Sequence, residues 1–200
     1  KKLFFKNLLI GLSFFIIGLF KKNCIADNLE LIATPIFDNT TAENINFFNA
    51  WLGSTAYSFQ IYFDFSSYSD MAIGLSRIFG FRIPANFNSP YKSSSLIEFW
   101  TRWHITLSRF IRDYLFTPSL RSLSKLNLFS YKNYKINLFL QIFISALITF
   151  SLSGLWHGAS WNFIIWGALH GILLTINYFY KIFFPLKIPR TLCKILTFFS

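Results

Sequence analysis

Leu3–Phe20 runs for 18 residues with one Lys and one Asn, and it limits the possible folds more than any other feature. Such a run is long enough to cross the hydrocarbon core of a bilayer as a helix. Two further apolar runs, Asn137–Phe150 and Asn162–Tyr178, stand on either side of Ser151–Trp161. The whole chain is 54% hydrophobic and 14% charged, with 27 Phe, where a soluble domain is about a quarter charged. We therefore expect an all-α polytopic membrane protein, its spanning helices supplemented by re-entrant or interfacial ones. The chain opens on Lys1, holds one Met (Met71) and stops inside the apolar run Ile195–Phe199. It is expected to be a portion of a longer protein, with residues 1–200 a single membrane-embedded domain incomplete at both ends.

Lys1–Lys22 superficially resembles a signal peptide, but no small-residue cleavage pattern precedes Lys21-Lys22, so a retained helix is expected. Cys24 and Cys193 are the only cysteines, and two so far apart imply neither a metal set nor a disulfide framework. The net charge of +11 could suggest nucleic acid, but its placement says otherwise. No Lys or Arg occurs from Asn23 to Ser76, while Arg121–Lys135 and Lys181–Lys194 carry four basic residues each and no acid. Basic loops between apolar spans set topology by the positive-inside rule. Both loops are thus expected to be cytoplasmic, with Ala26–Asn46 outside and no nucleic-acid partner.

Along the chain, Ala26–Asn46, with Pro35 and an Asp38-Asn39-Thr40-Thr41 cluster, reads as a loop. Phe47–Phe65 can span, whereas Phe65–Gly80, with four Ser, two Gly and Asp70, suits a short or re-entrant helix. Phe81–Ser95 holds Pro84 and Pro90 and is not expected to be helical. In Leu96–Phe116, Trp100, Trp103, His104, Leu107, Ile111 and Tyr114 recur at three- and four-residue steps. Arg102 and Arg109 share the opposite face, which gives a basic amphipathic helix that crosses nothing and is ended by Pro118. Two spans with a tight break at His157 fit before Lys181, and a further span begins near Thr191.

An ionisable side chain at membrane depth is costly and marks a candidate functional site. His157 meets that description, flanked by Gly154 and Gly158 and bracketed by Trp156 and Trp161. The competing account is an interfacial loop marked by its Trp residues. His104 lies on the apolar face of the amphipathic helix, where a satisfied core histidine is the commoner role. For His170, in Trp-Gly-Ala-Leu-His-Gly, tight helix packing is a sufficient account. No HxxxH or HExxH spacing suggests zinc, and neither a P-loop nor a Gly-x-Ser-x-Gly elbow is present. Asp64 and Asp70 could act as an acid–base pair. Helix capping and an aqueous vestibule wall are the plainer roles for them.

Five ordered stretches then carry a resemblance. Gly18-Leu-Phe-Lys-Lys-Asn-Cys-Ile-Ala-Asp-Asn28, Tyr62–Leu75, Asn86-Phe-Asn-Ser-Pro-Tyr91, Glu98–Tyr114 and Gly154–Trp161 together resemble the membrane-bound O-acyltransferase family. The branch most similar contains alginate and peptidoglycan O-acetylases. The resemblance implies transfer of an acyl group, here acetyl, to a hydroxyl of an extracytoplasmic polysaccharide such as peptidoglycan or an alginate-like exopolysaccharide. It gives the general-base role to His157 and a second active-site role to His104, and makes Trp103, Arg102, Asp70 and Trp156 candidate substrate contacts. Donor and acceptor would meet in a central funnel. The donor would be a co-substrate, acetyl-CoA or another acetyl thioester, with no bound cofactor and no metal. Membrane lipids, the polysaccharide and a periplasmic acetyltransferase partner protein are the implied partners, in the bacterial cytoplasmic (inner) membrane. Thr101 stands where close members often carry Arg, Ser67 where Gly is common, and Thr117-Pro-Ser-Leu-Arg-Ser-Leu replaces a usual Gly-Gly-Asn-Arg stretch.

Two other classes compete. A transporter or channel would use the intramembrane His and Asp as a proton relay, but such folds often contain repeats and this chain shows none. A non-catalytic scaffold of an envelope-synthesis complex would be indifferent to loss of His157.

Overall fold

The computed structural model describes residues 2–38, 46–126, 133–184 and 188–199. Those residues contain helices and no strand, in agreement with the all-α expectation. Three stretches, Leu3–Asp38, Tyr134–His157 and Trp161–Phe183, are long and apolar enough to cross a membrane. The chain forms two compact units, Lys1–Asn86 and Phe87–Ser200.

In the first unit, α1 (Lys2–Phe20) passes through a π-helical turn, Lys21–Ala26, directly into α2 (Asp27–Asp38). The expected Ala26–Asn46 loop is therefore helical as far as Asp38, with Pro35 inside the helix; residues 39–45 lie outside the described set. Packing overrides the local turn signals. Ala33 is buried, and Gly53 of α3 (Phe47–Ile78) leaves room for the Ile36 side chain, 2.7 Å from where a Cβ would stand.

A second correction concerns α3, which is one helix of 32 residues where a span followed by a separate re-entrant helix was expected. The serines and glycines read as breaks are its packing face. Ser66, Ser67 and Ser69 are buried. Ser67 Oγ and Ser76 Oγ donate to the Asp64 and Ile73 carbonyls, which satisfies their hydroxyls on their own helix. Small side chains let α1 approach closely: a Cβ on Gly11 would lie 2.6 Å from the Gly74 carbonyl oxygen, and one on Gly18 2.7 Å from that of Ser67.

In the second unit, one 3₁₀ turn (Pro90–Lys92) precedes α4 (Leu96–Arg102) and α5 (Ile105–Ile111). A π-helical turn, Arg112–Phe116, then leads into α6 (Thr117–Leu126). The single Leu96–Phe116 helix expected from periodicity is thus broken at Trp103-His104. Nor does Pro118 end it, because a widened π turn is a place where proline is accommodated within a helical path. Neither α4 nor α5, at seven residues each, could cross a bilayer, in keeping with a non-spanning segment. Part of the expected basic loop is α6, held to α7 (Tyr134–His157) by Ser124 Oγ donating to the buried Gln141 Oε1 at 2.9 Å.

The expected pair of spans is present as α7 and α8 (Trp161–Phe183), followed by α9 (Arg190–Phe198) where a further span was expected to begin. A Cβ on Gly154 would stand 2.0 Å from the Phe163 carbonyl oxygen, one on Gly167 2.1 Å from that of Phe150, and one on Gly171 3.0 Å from that of Ala146. These approaches run in opposite senses along the two helices, so α7 and α8 form a backbone-to-backbone antiparallel hairpin with Tyr134 and Phe183 at one end. Ser160 caps α8 by accepting from Asn162 N–H. His157 is the last residue of α7, at the hairpin's other end.

Candidate active site

His104 is placed by a backbone bend. Trp103 is extended (φ −94°, ψ 128°) and ends α4, its N–H donating to the Phe99 carbonyl. His104 then adopts the left-handed region at φ 41°, ψ 58°, and its carbonyl accepts from Ser108 N–H as α5 begins. Histidine is among the residues enriched there, yet left-handed backbone still costs about 1–2 kcal/mol, so the surroundings must hold it. Ser95 caps α4 by accepting from Glu98 N–H at 3.1 Å. Glu98 Oε2 accepts from both the N–H and the hydroxyl of Ser94, at 2.8 and 2.6 Å. Those two bonds, with help from Arg102, hold the Glu98 carboxyl down at about 2, so it is ionised throughout the physiological range. Leu96 N–H donates to Asn177 Oδ1 of α8 at 3.1 Å, which ties α4 to the hairpin.

His157 reaches the same neighbourhood from α7. Its ring meets Trp166 edge-on, centroids 5.4 Å apart at 81°, and the Trp156 centroid is 5.0 Å away. Trp166 lies against His170 at 4.4 Å, and Trp100 of α4 meets His170 at 5.5 Å and Phe150 at 5.1 Å. Four aromatic rings from α4, α7 and α8 thus form a ladder running from His157 to Trp100, one turn of helix before His104. His170 Nδ1 lies 2.8 Å from the Trp166 carbonyl. A carbonyl only accepts, so the ring nitrogen that faces it donates.

Burial lowers the pKa of His104, and the charge of the nearby His157 ring lowers it further. The sign matters for function: a lowered pKa keeps His104 neutral, and able to accept a proton, at pH values where a free imidazole would already be charged.

The other candidates divide. Trp156 is 67% exposed beside His157. Trp103 stacks on Phe99 at 5.7 Å and meets Phe87 at 5.1 Å, in an aromatic cluster with Tyr91. Arg102 Nη2 donates to Glu98 Oε1 at 2.7 Å and Nη1 to the Asn88 carbonyl at 3.1 Å. Asp70 belongs to the first unit, where Lys21 Nζ lies 2.6 Å from its Oδ2. Lys22 bridges Asp27 and Asp64 at 2.8 and 2.7 Å beside an open cleft lined by Phe65, Ser67, Tyr68 and Met71. Both α3 carboxylates are therefore mid-helix ion-pair partners, not caps. Sequence reasoning missed Glu98 and Asn88; the spacing Ser95-Leu-Ile-Glu98, a capping-box pattern, was the available signal for the first.

A sequence model of the membrane-bound O-acyltransferase family matches residues 1–196. The chain is 44% identical over 197 residues to the peptidoglycan O-acetyltransferase of Helicobacter pylori, covering 97% of this chain and 34% of that protein. It is 48% identical over 170 residues to the probable alginate O-acetylase of Azotobacter vinelandii, covering 84% of this chain and 30% of the relative. It is also 36% identical over 125 residues to the teichoic acid D-alanyltransferase of Bacillus subtilis, covering 62% and 30%. The chain spans about a third of the length of these relatives. It belongs to the membrane-bound O-acyltransferase family.

Proposed function

We propose that this chain carries the catalytic histidines of an O-acyltransferase that moves an acetyl group onto a hydroxyl of an extracytoplasmic polysaccharide. The observation that supports this reading is the ring ladder His157–Trp166–His170–Trp100, which runs from the hairpin tip to the α4 helix that ends at the left-handed bend of His104. In the proposed step a neutral His157 imidazole takes the proton of the acceptor hydroxyl as its oxygen attacks the thioester carbonyl. The C–S bond breaks, the thiolate leaves with that bond's electron pair, and the proton passes from the ring to the thiolate, so the ring ends neutral. His104, neutral and close by, hydrogen-bonds the acceptor or the developing oxyanion. Exposed Trp156 offers an aromatic face to the substrate. No covalent enzyme intermediate is needed.

The acceptor is taken to be peptidoglycan or an alginate-like polymer, on the strength of the relatives' names, and the donor acetyl-CoA or another acetyl thioester. A periplasmic acetyltransferase partner is part of the same proposal. Deleting the gene should remove ester-linked acetate from one envelope fraction, peptidoglycan or exopolysaccharide, and re-expression should restore it. Unchanged ester in both fractions, with altered uptake of a solute, would favour a transporter instead.

For location we propose the bacterial inner membrane, with both basic loops in the cytoplasm. A cysteine at Lys132, in a variant lacking Cys24 and Cys193, should resist an impermeant thiol reagent in intact cells and react after lysis. External labelling would overturn that orientation.

A further inference from the structure

The His104 side chain makes no cap to α5, and its backbone sits where few residues rest. Among the described residues, the non-glycine positions with positive φ are Ser89 (46°) and His104 (41°). They stand on either side of one two-way bridge. Asn88 N–H donates to the Arg102 carbonyl at 3.0 Å, and Arg102 Nη1 donates back to the Asn88 carbonyl at 3.1 Å. The same guanidinium donates from Nη2 to Glu98 Oε1 at 2.7 Å. Glu98 is fixed in turn by two bonds from Ser94. Two strained residues thus flank one cross-chain tie, and a four-residue polar chain closes it.

We propose that this Ser94–Glu98–Arg102–Asn88 chain sets the His104 bend, making Arg102 and Glu98 positioning residues for the His104 ring. The inference rests on the reading of His104 as an active-site group. Its chemistry explains why arginine stands at 102. One planar fork serves two acceptors in different directions, the carboxylate and a main-chain carbonyl, which a lysine ammonium on a flexible stem does not reproduce. An isolated ion pair at a protein surface contributes little. Here each partner is about a quarter exposed and has further directional bonds, so the geometry is over-determined. With both terminal nitrogens committed within the protein, Arg102 acts through His104 and not as a direct substrate contact.

The test compares wild type, Arg102→Ala, Arg102→Lys and Glu98→Gln as full-length protein in detergent, treated with diethyl pyrocarbonate without substrate. Mass spectrometry reads the modification rate at His104, with His170 as internal reference. Arg102→Ala should change the His104 rate several-fold and leave His170 within about twofold. Arg102→Lys should fall between wild type and alanine. Polymer ester formed per unit of membrane protein should drop by about 10²-fold in Arg102→Ala, since a misplacement of about 1 Å can cost that much. An unchanged His104 rate in Arg102→Ala would overturn the proposal, whatever the activity does. If Arg102→Ala alters all the histidines together, as general loosening would, Glu98→Gln decides. A change confined to His104 supports the proposal, and none refutes it. Failure of the catalytic reading is separate: His104→Ala would then keep transfer, while the labelling result stood.

Discussion

Gly154→Val is expected to remove most of the protein from the membrane fraction and all measurable transfer with it. A Cβ at 154 would lie 2.0 Å from the Phe163 carbonyl oxygen and 2.9 Å from its carbon, distances that no rotamer change relieves because the obstacle is backbone. Overpacking an ordinary core costs about 1–3 kcal/mol, and a contact of backbone against backbone belongs at or above the top of that range. Relief requires α7 and α8 to separate at the point where Trp166 meets His157, so packing and chemistry fail together. Gly158→Ala serves as the milder comparison. There the Cβ would meet the edge of the Phe163 ring at 2.5 Å, and a side chain can turn aside. Membrane abundance and the thermal midpoint of the solubilised protein measure both. Wild-type values for Gly154→Val would show that the hairpin is not locked as described.

His104→Ala should leave the protein in place and still cut transfer strongly. The ring is half-buried at a bend between two short helices, so its removal exposes no large apolar cavity. Loss of one hydrogen-bond donor to a developing oxyanion typically costs about 10²–10³-fold. If His104 and His157 act as one unit, the double variant should be no worse than the more damaging single one, because residues of one catalytic unit are non-additive. Polymer ester normalised to membrane protein reads all three. Multiplicative losses in the double variant would mean that the two rings contribute independently.

The hairpin around His157 was legible because its cause is local. Two apolar runs long enough to span are separated by glycines and a serine cap, and nothing distant alters that outcome. The break at Trp103-His104 was not legible for an equally physical reason. Apolar residues keep a helical period on both sides of a two-residue bend, and neither glycine nor proline marks it. Only the Asn88–Arg102 bridge, which joins residues 14 apart, shows what sustains it. The pairing of Lys21 with Asp70, 49 positions away, is non-local in the same sense. With the Lys22–Asp64 pair, it turned carboxylates that looked like caps into partners for α1's continuation. In α3 the misreading had another source. Serine and glycine weaken an isolated helix, but against a neighbouring helix they are what permits close approach.

The most direct test of the central claim is the ester content of envelope polysaccharide in cells whose sole copy carries His157→Ala, with membrane abundance measured alongside. His157 is at the end of α7, exposed and next to a turn, so a small residue fits there without strain. The account predicts wild-type abundance with ester reduced by at least about 10²-fold, the lower bound for losing a general base. Wild-type ester at wild-type abundance would contradict it.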